Sequence, residues 1–189
     1  MPVEIEIKLK VDGSAPVRDT LMALGARRLG EVLETNIFLD TSDRTLLSAD
    51  CGLRIRRNRS LAGNEGKLVI TYKGPREEGP VKRREEIEVV VDRIDPALAL
   101  LDRLGFRETL CFEKRRESWR LDDCTVELDE MPMMGAFVEI EGPTEADVTA
   151  AQARLGLAAL EPVPESYADL VTRHLSDIGQ HGTRLTFTK

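Results

Sequence analysis

Acidic and basic side chains recur at every second position in several short stretches of this chain. Glu4 and Glu6 are separated by one residue, as are Glu139 and Glu141. On an extended strand such neighbours share a face roughly 6 to 7 Å apart, so each pair can converge on one hard cation. Ligation by carboxylates alone favours magnesium or manganese over zinc. Arg54 and Arg56 offer planar forks that take phosphate oxygens bidentately, while Lys8, Lys73 and Lys114 act as point charges. Such acids and bases together suit a ligand of mixed charge, a polyanion with a divalent metal, and a triphosphate has the right number of charges.

The elements that must position these groups are strands. In residues 3 to 11, Val3, Ile5, Ile7, Leu9 and Val11 take one parity and Glu4, Glu6, Lys8 and Lys10 the other, which reads as a strand with one apolar and one charged face. Leu53 and Ile55 flank Arg54 and Arg56; Leu68, Ile70 and Tyr72 alternate with Lys67, Val69, Thr71 and Lys73. Arg84, Glu86 and Glu88 share a parity, as do Lys114, Arg116 and Arg120, then Glu127 and Asp129, then Glu139 and Glu141. Any one of these charged faces would ordinarily be a solvated sheet surface laced with ion pairs.

Taken together they point elsewhere, because helical spacing near 15–25, 95–105 and 144–156 supplies amphipathic helices for the apolar faces. Each of these segments ends in Leu-Gly and follows a Glu-Ile-Glu tripeptide, a degenerate strand-helix repeat. An antiparallel barrel wrapped outside by helices turns its charged faces inward, where uncompensated ions would cost several kcal/mol each. The expected fold is therefore α+β, a closed antiparallel barrel with a charged lumen and helices packed outside, as one domain over 1–189. Residues 58–66 and 74–80 carry the Gly, Asn and Pro of loops and are expected as flexible rims. A last helix is expected over Ser166 to Asp177, and the tail 178–189 is left unplaced.

Composition narrows the function classes. Hydrophobic residues at 41% and charged residues at 32% describe a soluble globular chain with an excess of charge. A net charge of -7 argues against nucleic acid or an anionic membrane as partner. Cys51, Cys111 and Cys124 lack the spacing of a zinc site or a disulfide framework, and no segment is long and apolar enough to cross a bilayer, so a cytoplasmic location is expected. The three cysteines are expected as buried thiols, Trp119 as core, and Arg57 as an outward-facing residue. His174 and His181 are set aside as catalysts.

The run Glu4-x-Glu6-x-Lys8, with Leu53-Arg54-Ile55-Arg56, Lys73-Gly74-Pro75, Arg84-x-Glu86-x-Glu88, Lys114-x-Arg116 and Glu127-Leu128-Asp129 through Gly135-x-Phe137-Val138-Glu139-Ile140-Glu141, resembles the CYTH, or triphosphate tunnel metalloenzyme, family over nearly the whole chain. The resemblance implies an eight-stranded antiparallel β-tunnel, open at both ends, that binds a triphosphate with Mg2+ or Mn2+, and it makes Asn36 to Thr41 a strand at the tunnel mouth. It implies Glu4, Glu6, Asp129, Glu139 and Glu141 as metal ligands. Lys8, Arg54, Arg56, Lys73, Arg84, Lys114 and Arg116 become phosphate ligands. Glu86, Glu88 and Glu127 either hold a second metal through water or orient the arginines. Ser166-Tyr167 resembles the family's C-terminal helix, in a packing role.

Three functions are then open. Hydrolysis of tripolyphosphate or an organic triphosphate such as thiamine triphosphate is favoured, with Lys114 orienting or deprotonating the attacking water beside Glu4 and Glu6. A class IV adenylyl cyclase, turning ATP into cyclic AMP and pyrophosphate, would use the same ligands. A non-catalytic polyphosphate or nucleotide sensor needs the bases but not the clustered acids, which places it last. Pairing of two chains as a homodimer is left open.

Overall fold

The computed structural model describes residues 3–60, 65–77, 82–180 and 182–187; the side chains of Val3, Glu4, Glu65 and Lys82 lie outside that description. The alternating segments form β1 (Val3–Val11), β2 (Arg27–Asp40), β3 (Gly52–Ser60), β4 (Glu65–Lys73), β5 (Lys82–Val91), β6 (Arg107–Leu121), β7 (Cys124–Met131) and β8 (Gly135–Glu141). Between and after them lie α1 (Ala15–Ala23), α2 (Thr45–Ser48), α3 (Ile94–Arg103), α4 (Glu145–Arg154), α5 (Tyr167–Asp177) and the short β9 (Arg184–Leu185).

Neighbours run antiparallel in the order β2-β3-β4-β5-β1-β8-β7-β6, and β6 pairs back onto β2, which closes eight strands into a ring. The expected α+β architecture and its antiparallel tunnel are present. The closing pair is the longest in the molecule, running from Arg27 opposite Arg120 to Asp40 opposite Arg107, with register shifts at Arg28/Gly30 and Phe38/Leu39. Strand pairing never has to end at an edge, and period-2 alternation gives every strand one face inside the ring and one outside.

The outer faces carry two cores. Ile7, Leu9 and Val11 of β1 pack with Val126, Leu128, Val138 and Ile140 under Val17 and Leu21 of α1, Val148 and Ala151 of α4 and Leu155 at the C-cap of α4. Trp119 belongs to this core, as expected. Ile37, Leu39, Ile55 and Cys111 form the other, under Ala97 and the partly buried Leu98 and Leu101 of α3. Three helices end as their Leu-Gly pairs predict: Gly25, Gly105 and Gly156 take φ of +73°, +90° and +74°, a conformation that side chains with a Cβ resist.

A third core departs from expectation. Leu110 and Phe112 share the inward parity of Lys114 on β6, and Phe137 shares that of Glu139 on β8, yet all three pack with Tyr167, Leu170, Val171 and Leu175 of α5. Helix α5 therefore lies across one end of the ring, where the inner wall is apolar. A capping box fixes its start: Ser166 Oγ accepts from Asp169 N while the Asp169 carboxylate accepts from Ser166 N at 3.0 Å.

The proposed rims are shorter than 58–66 and 74–80, since β3 continues to Ser60, β4 begins at Glu65 and Gly74 N donates to Glu85 O. Residues 61–64 and 78–81 lie outside the described residues, as does His181. The strand expected over Asn36 to Thr41 is the last part of β2, whose first half lacks strict alternation and breaks at Gly30. Cys111 and Cys124 are buried as expected, but Cys51 is only half-buried and meets the Tyr72 hydroxyl at 3.3 Å.

Candidate active site

The ring encloses a cavity of about 1140 Å³. Charged side chains of the expected parity reach its wall from strand after strand: Glu6 and Lys8 from β1, Arg54 and Arg56 from β3, Lys73 from β4, and Arg84, Glu86 and Glu88 from β5. Lys114 and Arg116 come from β6, Glu127 from β7, and Glu139 and Glu141 from β8. Arg57, on the other parity of β3, is not among the lining residues. The Glu4 backbone pairs with Arg84, but its side chain lies outside the described residues.

Two carboxylates sit behind the wall. Asp129 is wholly buried and Glu34 is 1% exposed, and neither borders the cavity. Arg116 grips Asp129 bidentately, Nε to Oδ1 at 2.7 Å and a terminal nitrogen to Oδ2 at 2.6 Å. Lys114 Nζ donates to Asp129 Oδ2 at 3.0 Å and faces Glu34 Oε2 at 3.4 Å. Burial by itself would raise the Glu34 pKa, but the charges of Lys114, Arg116, Arg56 and Arg54 outweigh it and hold this carboxyl well below the usual carboxylate range. Asp129, Glu34 and Glu139 thus form an anionic bed under the cations of β6, with Glu139 touching Arg116 and standing 3.7 Å from Lys8.

Tyr167 joins this bed. Its hydroxyl donates to Asp129 Oδ2 at 2.7 Å, and its ring lies under the ammonium groups of Lys8 and Lys114, at 4.3 and 4.6 Å from the centroid. Burial and the neighbouring Asp129 and Glu139 charges push the phenol far above its ordinary pKa, so it stays a donor. The packing role expected for this residue holds, against Phe112 and Phe137, and a polar one is added.

The β3–β5 side is looser. Lys73 Nζ meets Glu86 at 3.2 Å and Arg54 lies 3.9 Å from the same carboxylate. Thr71, fully buried, accepts from Arg54 and donates to Glu88 at 3.2 Å. Arg56 reaches Glu34 at 3.5 Å.

For a metal, strand pairing brings Glu6 directly opposite Glu141, and Glu127 opposite Glu139. Like charges facing each other across strands repel, and a divalent cation relieves that repulsion. Burial raises the pKa of Glu127, partly offset by Arg116 and by the Ser118 hydroxyl. Among the described residues no three acidic, histidine or cysteine side chains are grouped to enclose a metal unaided. The donor set fits a hard cation that keeps waters or substrate oxygens in its shell, the habit of magnesium.

Sequence reading missed Glu34, Asn36 and the polar part played by Tyr167. Extending the period of Phe38 and Asn36 back by two residues reaches Glu34, so that signal was present. That it lies under Lys114 required the β2–β6 pairing, where the two residues are direct partners.

The model for the CYTH domain matches residues 2–173. Among curated proteins, "Putative adenylate cyclase MJ0240" of Methanocaldococcus jannaschii is 32% identical over 139 residues, 74% of this chain and 76% of that one. Among solved structures, the PH1819 protein of Pyrococcus horikoshii superposes with a TM-score of 0.77 at 28% identity, covering 90% of this chain and 99% of that one. A "putative adenylyl cyclase" of Hippeastrum, described as having a dominant triphosphatase activity, superposes with a TM-score of 0.66, covering 94% and 96%. At 22% identity, that last likeness bears on the fold alone.

Proposed function

Because the chain belongs to the CYTH family, we propose that its lumen binds a triphosphate with magnesium or manganese and hydrolyses it. The observation that carries this reading is one cavity whose lining gathers the strand-borne cations Lys8, Arg54, Arg56, Lys73, Arg84, Lys114 and Arg116, together with the facing acids Glu6 and Glu141. Phosphoryl transfer needs little covalent help from a protein; positioning and charge stabilisation supply most of the catalysis.

Arg54 and Arg56 hold phosphate oxygens in planar, bidentate fashion, and Lys8, Lys73 and Arg84 add charge along the chain of phosphates. Lys114, an ammonium with three donors and no acceptor, orients the attacking water or the transferring phosphoryl oxygen and leaves proton removal to a carboxylate. Asp129 and Glu34 keep Lys114 and Arg116 in place beneath the ligand. Glu6, Glu139 and Glu141, with Glu4, are the residues that would hold the cation. When bound, the cation neutralises charge on the phosphates and acidifies a water.

The curated relative of 32% identity carries a cyclase name, which favours a second reading: attack by the ribose hydroxyl of ATP on the α-phosphate, with pyrophosphate leaving. A turnover assay of the purified protein with Mg2+ or Mn2+ against tripolyphosphate, thiamine triphosphate and ATP separates these. Orthophosphate release supports hydrolysis, cyclic AMP and pyrophosphate from ATP establish the cyclase, and no turnover of any substrate sinks both.

A further inference from the structure

On one edge, β6 outruns its partner β7. Their pairing covers Arg115 to Leu121, and before Arg115 another strand takes over the same edge: β9, parallel to β6, with Arg184 opposite Cys111 and Leu185 opposite Phe112. The match to the CYTH model ends at residue 173, so this strand lies beyond the matched domain.

The tail is tied both to the ring and to α5. Cys111 N donates to Thr183 O at 2.7 Å, and Phe187 N donates to the Glu113 carboxylate at 3.1 Å. The Arg115 guanidinium lies 4.3 Å over the Phe187 ring, and Arg184 pairs with Glu108 at 2.7 Å. Leu185 is buried in the core that Leu110 and Phe112 of β6 form with Tyr167, Leu170, Val171 and Leu175 of α5. One leucine of the tail thus joins the helix to the ring.

This attachment is slight for a strand. Among the described residues its ladder is two residue pairs in parallel, the weaker of the two orientations, and the side chains of its ion pair are 63% and 29% exposed. Segments held in this way open locally while the rest of the fold stays intact. Opening here would be felt at the site. Gly182 and Thr183 line the cavity beside Leu175 and Ser176, and at the other end of the helix Lys8 Nζ donates to Glu165 O at 2.7 Å and the Tyr167 hydroxyl to Asp129.

We propose that the tail from Thr183 to Phe187 is a displaceable strap. Seated on β6, it holds α5 across the end of the cavity; released, it lets α5 lift and a ligand pass by that end. The ring itself need not change, because β6 keeps β2 on its other edge. The inference rests on the triphosphate reading above for what passes, and it adds how the same site is opened.

Two variants of the whole protein test it. Leu185→Ser removes the apolar anchor; Phe187→Ala removes only the ring under Arg115. In Leu185→Ser the backbone amides of α5 and of Cys111 are expected to exchange hydrogen about tenfold faster than in the wild type, with those of β1, β8 and α4 unchanged. Surface plasmon resonance on the tethered protein then follows a methylene-bridged, non-hydrolysable tripolyphosphate analogue with Mg2+. Association and dissociation rates are both expected to rise about fivefold, leaving Kd within about twofold. Phe187→Ala should move the same quantities in the same direction by less, and it serves if a melting curve shows Leu185→Ser unfolded. Faster amide exchange with unchanged binding rates, a weaker Kd with an unchanged association rate, or α5 amides no faster in a folded variant overturns the strap and leaves the triphosphate reading standing. Failure of the wild type to bind the analogue overturns both.

Discussion

Lys114 and Arg116 on β6 rest on carboxylates that water does not reach, whereas Arg54 and Lys73 on β3 and β4 share the partly open Glu86. Side-chain exposure separates Lys114 and Asp129, at 3% and 0%, from Lys73 and Glu86, at 14% and 17%, while Arg116 and Arg54 are alike at 11% and 12%. The first region holds its cations in place before any ligand arrives, at the cost of desolvating several charges that must all stay paired. The second keeps its partners loose, so a phosphate can replace Glu86 without leaving a buried charge alone. A rigid bed against which a more adaptable wall closes is an economical way to bind a flexible polyanion.

The largest expected effect comes from breaking the rigid bed. Asp129→Asn removes the shared partner of Arg116, Lys114 and Tyr167 and should cost about 3 to 5 kcal/mol in urea unfolding, as loss of one member of a buried pair does. A cost below about 1 kcal/mol would place Asp129 among ordinary surface pairs and erase the contrast between the two regions.

Glu34→Gln should cost less, about 2 to 3 kcal/mol, because Asp129 and Glu139 still face Lys114 and Arg116. It also carries a pH signature. The folded-state pKa of Glu34 is depressed, so its stabilisation is fully present above the unfolded value of about 4.3 and drains away as pH falls below it. The wild type should lose stability more steeply than Glu34→Gln as the solution is acidified from about pH 5. Parallel acid limbs for the two proteins would contradict this.

On the looser wall the expected order reverses, with function suffering more than stability. Arg56→Lys keeps the charge and loses the fork, so triphosphate affinity or turnover should fall about tenfold while unfolding shifts by less than about 1 kcal/mol. Arg57→Lys, which does not line the cavity, should change neither by much. Equal losses at Arg56 and Arg57 would mean that the β3 face is assigned wrongly.

The smallest effect concerns Glu127, whose pKa is raised by burial. A carboxyl with a raised folded-state pKa opposes folding once pH exceeds its unfolded value, so Glu127→Gln should raise the melting temperature by about 1 to 3 °C at neutral pH and by less at pH 4. A lower melting temperature at pH 7 would place Glu127 among the needed partners of Arg116.

Much of the site was readable because period-2 alternation needs only parity. Once Ile5, Ile7 and Leu9 are assigned to one face, Glu6 and Lys8 must share the other, and the same rule placed Arg54 with Arg56 and Glu139 with Glu141. Helix ends were readable for an equally local reason, since Leu24-Gly25, Leu104-Gly105 and Leu155-Gly156 each supply the residue that tolerates positive φ. Parity did not predict depth. Val89 has the outer, apolar parity of β5 and is nonetheless 55% exposed.

Tertiary structure alone decided which strands are neighbours, and with that the partners of every charge. Nothing within a strand says that Glu6 faces Glu141 or that Glu34 lies opposite Lys114, because these contacts join residues far apart in the chain through registers that only the closed ring defines. The same holds for α5. Its amphipathic pattern is visible in the sequence, but packing on the inner apolar end of β6 and β8, with the Tyr167 hydroxyl on Asp129, exists only once the ring brings those strands together.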